Sequence, residues 1–275
     1  RVADPLQRPL ALNDMNGFEP NGSSWAHFDD AELAQVKAIA SKQAKRLPHG
    51  HRINAKMAAG IRDVYSQTQY VKGIDAQYRS SIQYPTNDWD PTMGGDGAGA
   101  QFGANLQIAA KLIQNEAAIR TIMVENPVNW DMHENQQWLM QYNVPSIIWA
   151  LDAFIRDVQA MGRWNDVCIV LYSEFGRGIG ENGNGGTDHG HGQTMVVVGG
   201  NVNGGLYGGA MSERTLRYSN IGYSSSDNGC TDFRTIYNRV IRNHLRLPGV
   251  DRLLPESYVD NGLINRQNQE LFRTS

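Results

Sequence analysis

Asp131 and His133 stand two residues apart in the stretch Asn129-Trp130-Asp131-Met132-His133-Glu134. In an extended segment that spacing turns both side chains to the same side. A carboxylate and an imidazole so placed suit one divalent ion. The plain alternative is an Asp capping the next helix beside a surface His. Farther along, Gly186-Thr187-Asp188-His189-Gly190-His191-Gly192 gathers more donors in a glycine-flanked loop. Glycines let such backbone turn tightly and approach a ligand. Asp188, His189 and His191 read there either as metal or substrate contacts or as a polar loop with Asp188 in an Asx-turn. Between these stretches lies Ser173-Glu174-Phe175-Gly176-Arg177. Glu174 follows an apolar run read as a buried strand, so its carboxylate must be paired, solvated or metal-bound. Arg177 is either its ion-pair partner or a bidentate clamp for an anionic group. Three of the seven histidines thus fall beside carboxylates on separate loops, a donor set that a hard or borderline divalent metal needs.

Other familiar chemistries lack their motifs. Gly176-Arg177-Gly178-Ile179-Gly180 runs on into Glu181-Asn182-Gly183-Asn184-Gly185-Gly186 rather than into a helix, so a dinucleotide loop is rejected. The chain has no Gly-Lys-Ser/Thr phosphate loop and no Gly-x-Ser-x-Gly elbow. His27, His49, His51 and His244 fall in polar or helical contexts and read as surface or structural residues.

Elements must carry the donors into place. Apolar runs predict buried strands over 119–124, 166–172 and 194–198. Helical spacing of Leu106, Ala109, Ala110 and Ile113 predicts a helix from Gly103. A second is predicted over Pro145–Met161, with Pro145 at its first position. A third starts at a Thr231 or Asp232 cap, with Phe233, Ile236, Tyr237, Val240, Ile241 and Leu245 facing inward. Ahead of these, 1–30 reads as an irregular arm, Ala31–Leu47 as a helix, 52–84 as one or two weaker helices and 85–99 as a loop. Continuous apolar strands alternating with amphipathic helices predict an α/β fold, a mostly parallel sheet sandwiched by helices. Ligands then bind beyond the carboxyl ends of the strands. Residues 1–102 would be a helical or irregular cap or insertion and 103–275 the α/β body.

Composition narrows the function. The 275 residues carry 25 Lys+Arg against 28 Asp+Glu, a net charge of −3. No basic excess is available to grip nucleic acid through its phosphates. No apolar run approaches the roughly 18 residues needed to cross a bilayer. Two cysteines cannot build a disulfide scaffold. Cys168 and Cys230 either pair or stay as thiols, and the apolar surroundings of Cys168 favour a buried thiol. The sequence opens on Arg1 with no signal peptide, which reads as a processed or truncated chain.

The three loops together resemble a mostly secreted bacterial family called domain of unknown function 1501. Its motifs G-F-D-T-H, S-E-F-G-R and N-x-x-G-G-T-D-H-G correspond to Asn129–His133, Ser173–Arg177 and Asn182–Gly190. Gly199-Gly200, Gly204-Gly205 and Thr231-Asp232-Phe233-Arg234 match its later signals, so the likeness spans about residues 103–247 and little of the first hundred. The resemblance implies an alkaline-phosphatase-like α/β sandwich, related to the sulfatases, with metal at the carboxyl ends of the strands. It implies a secreted or periplasmic location and action on phosphate or sulfate esters. Asp131 and His133 fall on one metal-binding pair of that superfamily, His189 on a late metal histidine, and Glu174 near its Asp-His pair. Phe175 stands where that pair's histidine would be. The opening L-D-G-G-N-D-type loop of the family has no match in residues 1–60.

The resulting expectation is a metal-dependent ester hydrolase. Asp131, His133, Glu174 and His189 would hold a divalent ion of the zinc, calcium or manganese class, acting as Lewis acid and lowering the pKa of a bound water toward about 7. Asp188 or His191 would orient ligands or transfer protons, and Arg177 would bind a small anionic ester substrate. The rival expectation is a non-catalytic relative, a binding or structural subunit with a protein partner or in an oligomer. Phe175 and the unmatched opening motif motivate it. A weaker third is a carbohydrate or surface-layer binding protein, from the Asn- and Gly-rich loops and exposed Trp.

Overall fold

The computed structural model describes residues 70–85 (without 71, 72 and 75), 98–115, 119–190, 193–208, 231–248 and 270–273, with positions 35 and 38. The arm over 1–30, nearly all of the Ala31–Leu47 helix, most of 52–84, His27, His49, His51, His191 and Cys230 lie outside the described residues. Two compact units are present. One comprises Arg1–Asn87, Ala100–Asn126 and Trp149–Asp157; the other comprises Asp88–Gly99, Pro127–Ile148 and Val158–Ser275.

In the first unit, helix α1 (Ala98–Gln114) buries Phe102, Leu106, Ala109 and Ala110. These recur at the three- and four-residue spacing of one helical face. A Cβ on Gly103 would stand 2.8 Å from the Pro85 carbonyl oxygen, so the chain before the helix lies directly on its backbone. The second helix, α2 (Gln136–Ala160), contributes buried Ala150, Ala153 and Phe154 to this unit. Asp157, 1% exposed, accepts from Ser80 Oγ at 2.6 Å, from Tyr84 Oη at 2.8 Å and from Tyr78 Oη. Three hydroxyls replace the water that a buried carboxylate would otherwise lose.

Two expectations fail around these helices. The run 119–124 forms no strand; Ile122 and Met123 are exposed, Met123 at 84%. Apolar letters favour a strand only where a neighbour accepts its ladder hydrogen bonds. Helix α2 also begins at Gln136, with Pro145 inside it rather than at its first turn. Its start is set by docking, since Gln136 N donates to Gly185 O at 2.9 Å and satisfies a terminal N–H.

In the second unit, β1 (Cys168–Leu171) and β4 (Val196–Gly199) pair antiparallel, Cys168 opposite Gly199 and Leu171 opposite Val196. Between them in sequence, β2 (Gly176–Glu181) and β3 (Thr187–Gly190) form a second antiparallel pair. The predicted parallel sheet sandwiched by helices is therefore wrong: the described strands form two-stranded antiparallel sheets beside a few helices. Strand direction follows from the connection, not from strand composition. A parallel return needs a crossover, usually a helix, whereas here the link from β1 to β4 is a hairpin. Leu271 and Phe272 form a core against Cys168, Val197, Val202, Tyr207, Ile236 and Val240.

Helix α3 (Phe233–Arg239) is capped by Asp232, whose side chain accepts from Arg234 N. Its inward face differs from the expected one. Thr235 and Asn238 are fully buried, whereas Phe233 is 54% exposed. Ile236 and Val240 do pack on Leu271 and Phe272. Cys168 is a free, half-buried thiol whose pKa burial pushes up to about 11. No helix among the described residues is long and apolar enough to cross a membrane.

Candidate metal centre

The hairpin of β2 and β3 is built for close approach. A Cβ on Gly186 would stand 2.2 Å from the His133 carbonyl carbon, and one on Gly190 2.7 Å from that of Arg177. Both contacts are with backbone, which cannot yield as a flexible side chain can. The segment before α2 lies along this hairpin through a Glu134–Gly185 bridge and a Thr187 N donation to Met132 O at 3.3 Å. Met132 is buried at 3%. Alternation then turns Asp131 and His133 to the opposite side, as their spacing predicts. On the hairpin, Arg177 and His189 are direct register partners, and cross-strand partners share a face. The expected Gly-flanked loop around Asp188 and His189 is thus a strand.

This construction brings three ligand atoms together. Asp131 Oδ1 lies 3.0 Å from His133 Nε2 and 2.8 Å from His189 Nε2, and the two Nε2 atoms are 3.1 Å apart. His133 Nδ1 faces Asp188 Oδ1 at 3.3 Å. With Nδ1–H donating to that carboxylate, the Nε2 lone pair is aimed at the cluster, the usual arrangement of a metal histidine held by an outer carboxylate. His189 Nε2 lies within hydrogen-bond distance of both Asp131 Oδ1 and His133 Nε2. Two imidazoles and a carboxylate are a donor set that zinc and its first-row neighbours take.

Asp131 also has a charged partner. Arg177 Nη1 donates to Asp131 Oδ1 at 2.7 Å and Nε to Thr187 Oγ1 at 3.2 Å. Its Nη2 is buried without a hydrogen-bond partner. The His189 hydrogen bond, then the Arg177 guanidinium, hold the Asp131 carboxyl below the usual carboxylate range. Asn182, then His133, do the same for Asp188.

Of the expected ligands, Asp131, His133 and His189 converge, and Asp188 stands behind them. Glu174 is exposed and does not join the cluster, and Arg177 pairs with Asp131 rather than with Glu174. Residue-type reasoning passed over Asn182. Its Oδ1 accepts from Asn184 N at 2.9 Å and Gly186 N at 3.1 Å, while Nδ2 donates to His133 O at 2.9 Å and Asp188 Oδ1 at 3.3 Å. One carboxamide therefore ties the hairpin turn to the ligand segment. The signal was an Asn two residues before another residue in a Gly-rich run, the spacing of an Asx-turn.

A family model described as "Protein of unknown function (DUF1501)" matches residues 23–228. The chain belongs to the DUF1501 family. The match includes Asp131, His133, Arg177, Asn182, Asp188 and His189, so the whole cluster lies within the DUF1501 region. It also extends over 23–102, where the sequence showed little likeness, and stops short of Thr231-Asp232-Phe233-Arg234. No curated protein and no solved structure matches the chain.

Proposed function

We propose that this DUF1501 chain is a metal-dependent hydrolase of phosphate or sulfate esters, with Asp131, His133 and His189 as the protein ligands. The observation that carries the reading is the convergence of three ligand atoms from segments far apart in sequence. Two imidazoles favour a zinc- or manganese-class ion over calcium, which prefers oxygen donors. When bound, such an ion supplies Lewis acidity toward an ester oxygen. The chain's own residues supply the rest. Asp188 fixes the His133 ring. Arg177 places a guanidinium against the cluster, the kind of group that binds phosphate and sulfate oxyanions. The loop motifs resemble those of the alkaline phosphatase and sulfatase superfamily, and that resemblance is the reason for reading ester hydrolysis over other metal chemistry.

A second reading has an observation of its own. Arg177 already compensates the Asp131 carboxylate, as a binding subunit without catalysis would require. Metal analysis of the purified protein and hydrolysis of 4-nitrophenyl phosphate and 4-nitrophenyl sulfate separate the two. The enzyme reading expects one ion per chain and turnover, both lost in His133→Ala and His189→Ala. A wild-type protein that takes up no zinc or manganese and cleaves neither ester refutes it and leaves the binding subunit.

A further inference from the structure

His133 and His189 are held in different ways. His133 is oriented through Nδ1 by Asp188. No hydrogen bond holds Nδ1 of His189 among the described residues; its recorded polar contacts are made by Nε2. What lies against its ring is Phe175, with centroids 4.0 Å apart and planes inclined by 19°. Phe175 immediately precedes β2, two residues before Arg177. Arg177 is the direct register partner of His189. The Arg177 guanidinium carbon in turn lies 5.8 Å from the Phe175 ring centroid.

We propose that Phe175 is a positioning residue for the metal ligand His189, a flat apolar stop that sets the imidazole plane so that Nε2 meets Asp131 and His133. This rests on the metal reading above. A metal histidine normally receives its orientation from a hydrogen bond to its other nitrogen. An imidazole without one turns about its terminal torsion, and a ring stacked against it restricts that rotation. Contact with Arg177 lets the same ring hold the guanidinium beside the ligand.

The test compares wild type, Phe175→Leu and Phe175→Tyr. Zinc affinity is measured by calorimetry, folding by circular dichroism, and the carbon-bound protons of His189 by NMR without metal. The expected result is an upfield ring-current shift of the His189 protons in wild type and Tyr, absent in Leu. Zinc affinity should fall roughly tenfold or more in Leu, in the range seen when outer partners of metal histidines are removed, and return in Tyr. A folded Leu variant that binds zinc as tightly as wild type overturns the proposal. If Leu does not fold, wild-type His189 protons without the shift overturn it instead. Wild type that shows the shift yet takes no zinc refutes the metal reading while the packing of Phe175 on His189 stands.

Discussion

His133 Nε2 and His189 Nε2 lie 3.1 Å apart across 56 positions of sequence, and Asp131 Oδ1 closes the triangle with both. Neutral imidazole nitrogens approach this closely only with a proton or a cation between them. The three ligand atoms are thus close enough to share one proton or one metal ion.

The outer carboxylate gives the first prediction. Asp188→Asn removes the charge facing His133 Nδ1 and leaves the triangle's own atoms in place. Zinc stoichiometry should stay at one per chain while affinity drops roughly 10–100-fold. Equilibrium dialysis measures both. An unchanged affinity shows that Asp188 does not orient His133.

Arg177 makes three demands on one guanidinium: Asp131, Thr187 and the unpartnered Nη2. A lysine ammonium can satisfy one of them but cannot reproduce the fork. Arg177→Lys should retain zinc but weaken competition by inorganic phosphate at least tenfold, a loss of about 1.4 kcal/mol. Phosphate competing equally well in both proteins would remove Arg177 from anion binding.

Gly186 faces the His133 backbone with no room for a methyl group. Gly186→Ala must push the ligand segment off the hairpin. The cost should reach about 3 kcal/mol in thermal or urea unfolding, the upper part of the usual range for overpacking, because the obstructing atoms are backbone. Zinc binding should vanish with it. A variant as stable as wild type would mean that the two segments are not packed this closely.

The Asp157 cluster predicts an alkaline limit. Burial, and after it the hydrogen bond to Asp157, push the Tyr78 phenol up to about 12 from an ordinary value of 10. The Tyr84 phenol moves the same way, again chiefly through burial. A folded pKa above the unfolded one means the folded state keeps protons that the unfolded chain releases. The stabilisation is complete below pH 10 and is lost as pH rises from 10 toward 12. The unfolding temperature between those limits should fall in wild type and fall less steeply in Tyr78→Phe, where only Tyr84 still contributes. At neutral pH Tyr84→Phe should cost about 1–3 kcal/mol, because a buried carboxylate loses a donor.

Local order in the sequence was informative where a side chain's direction depends on its immediate neighbours. The two-residue spacing of Asp131 and His133 put them on one side, the periodicity of Leu106, Ala109 and Ala110 marked a helix face, and Asp232 was one of two named caps for α3. Each rests on backbone geometry that repeats within a few residues. Cys168 is a free thiol, as its apolar neighbours favoured, but half-buried rather than buried.

Everything that depended on which segments meet was decided by the tertiary structure. The letters of 166–172 and 194–198 marked the strands found at Cys168–Leu171 and Val196–Gly199 but carried no direction, and the hairpin between them made the pair antiparallel. Glu174 looked as good a ligand as His189, yet only His189 sits opposite Arg177 in the register and reaches Asp131. The roles of Phe175 and Asn182 toward His189 and His133 were not legible, because stacking and hydrogen bonding to a distant segment exist only once that segment has docked. Sequence spacing determined which donors share a side of their own strand. Long-range pairing, whose free energy comes from contacts between residues dozens of positions apart, determined which of those donors face one another.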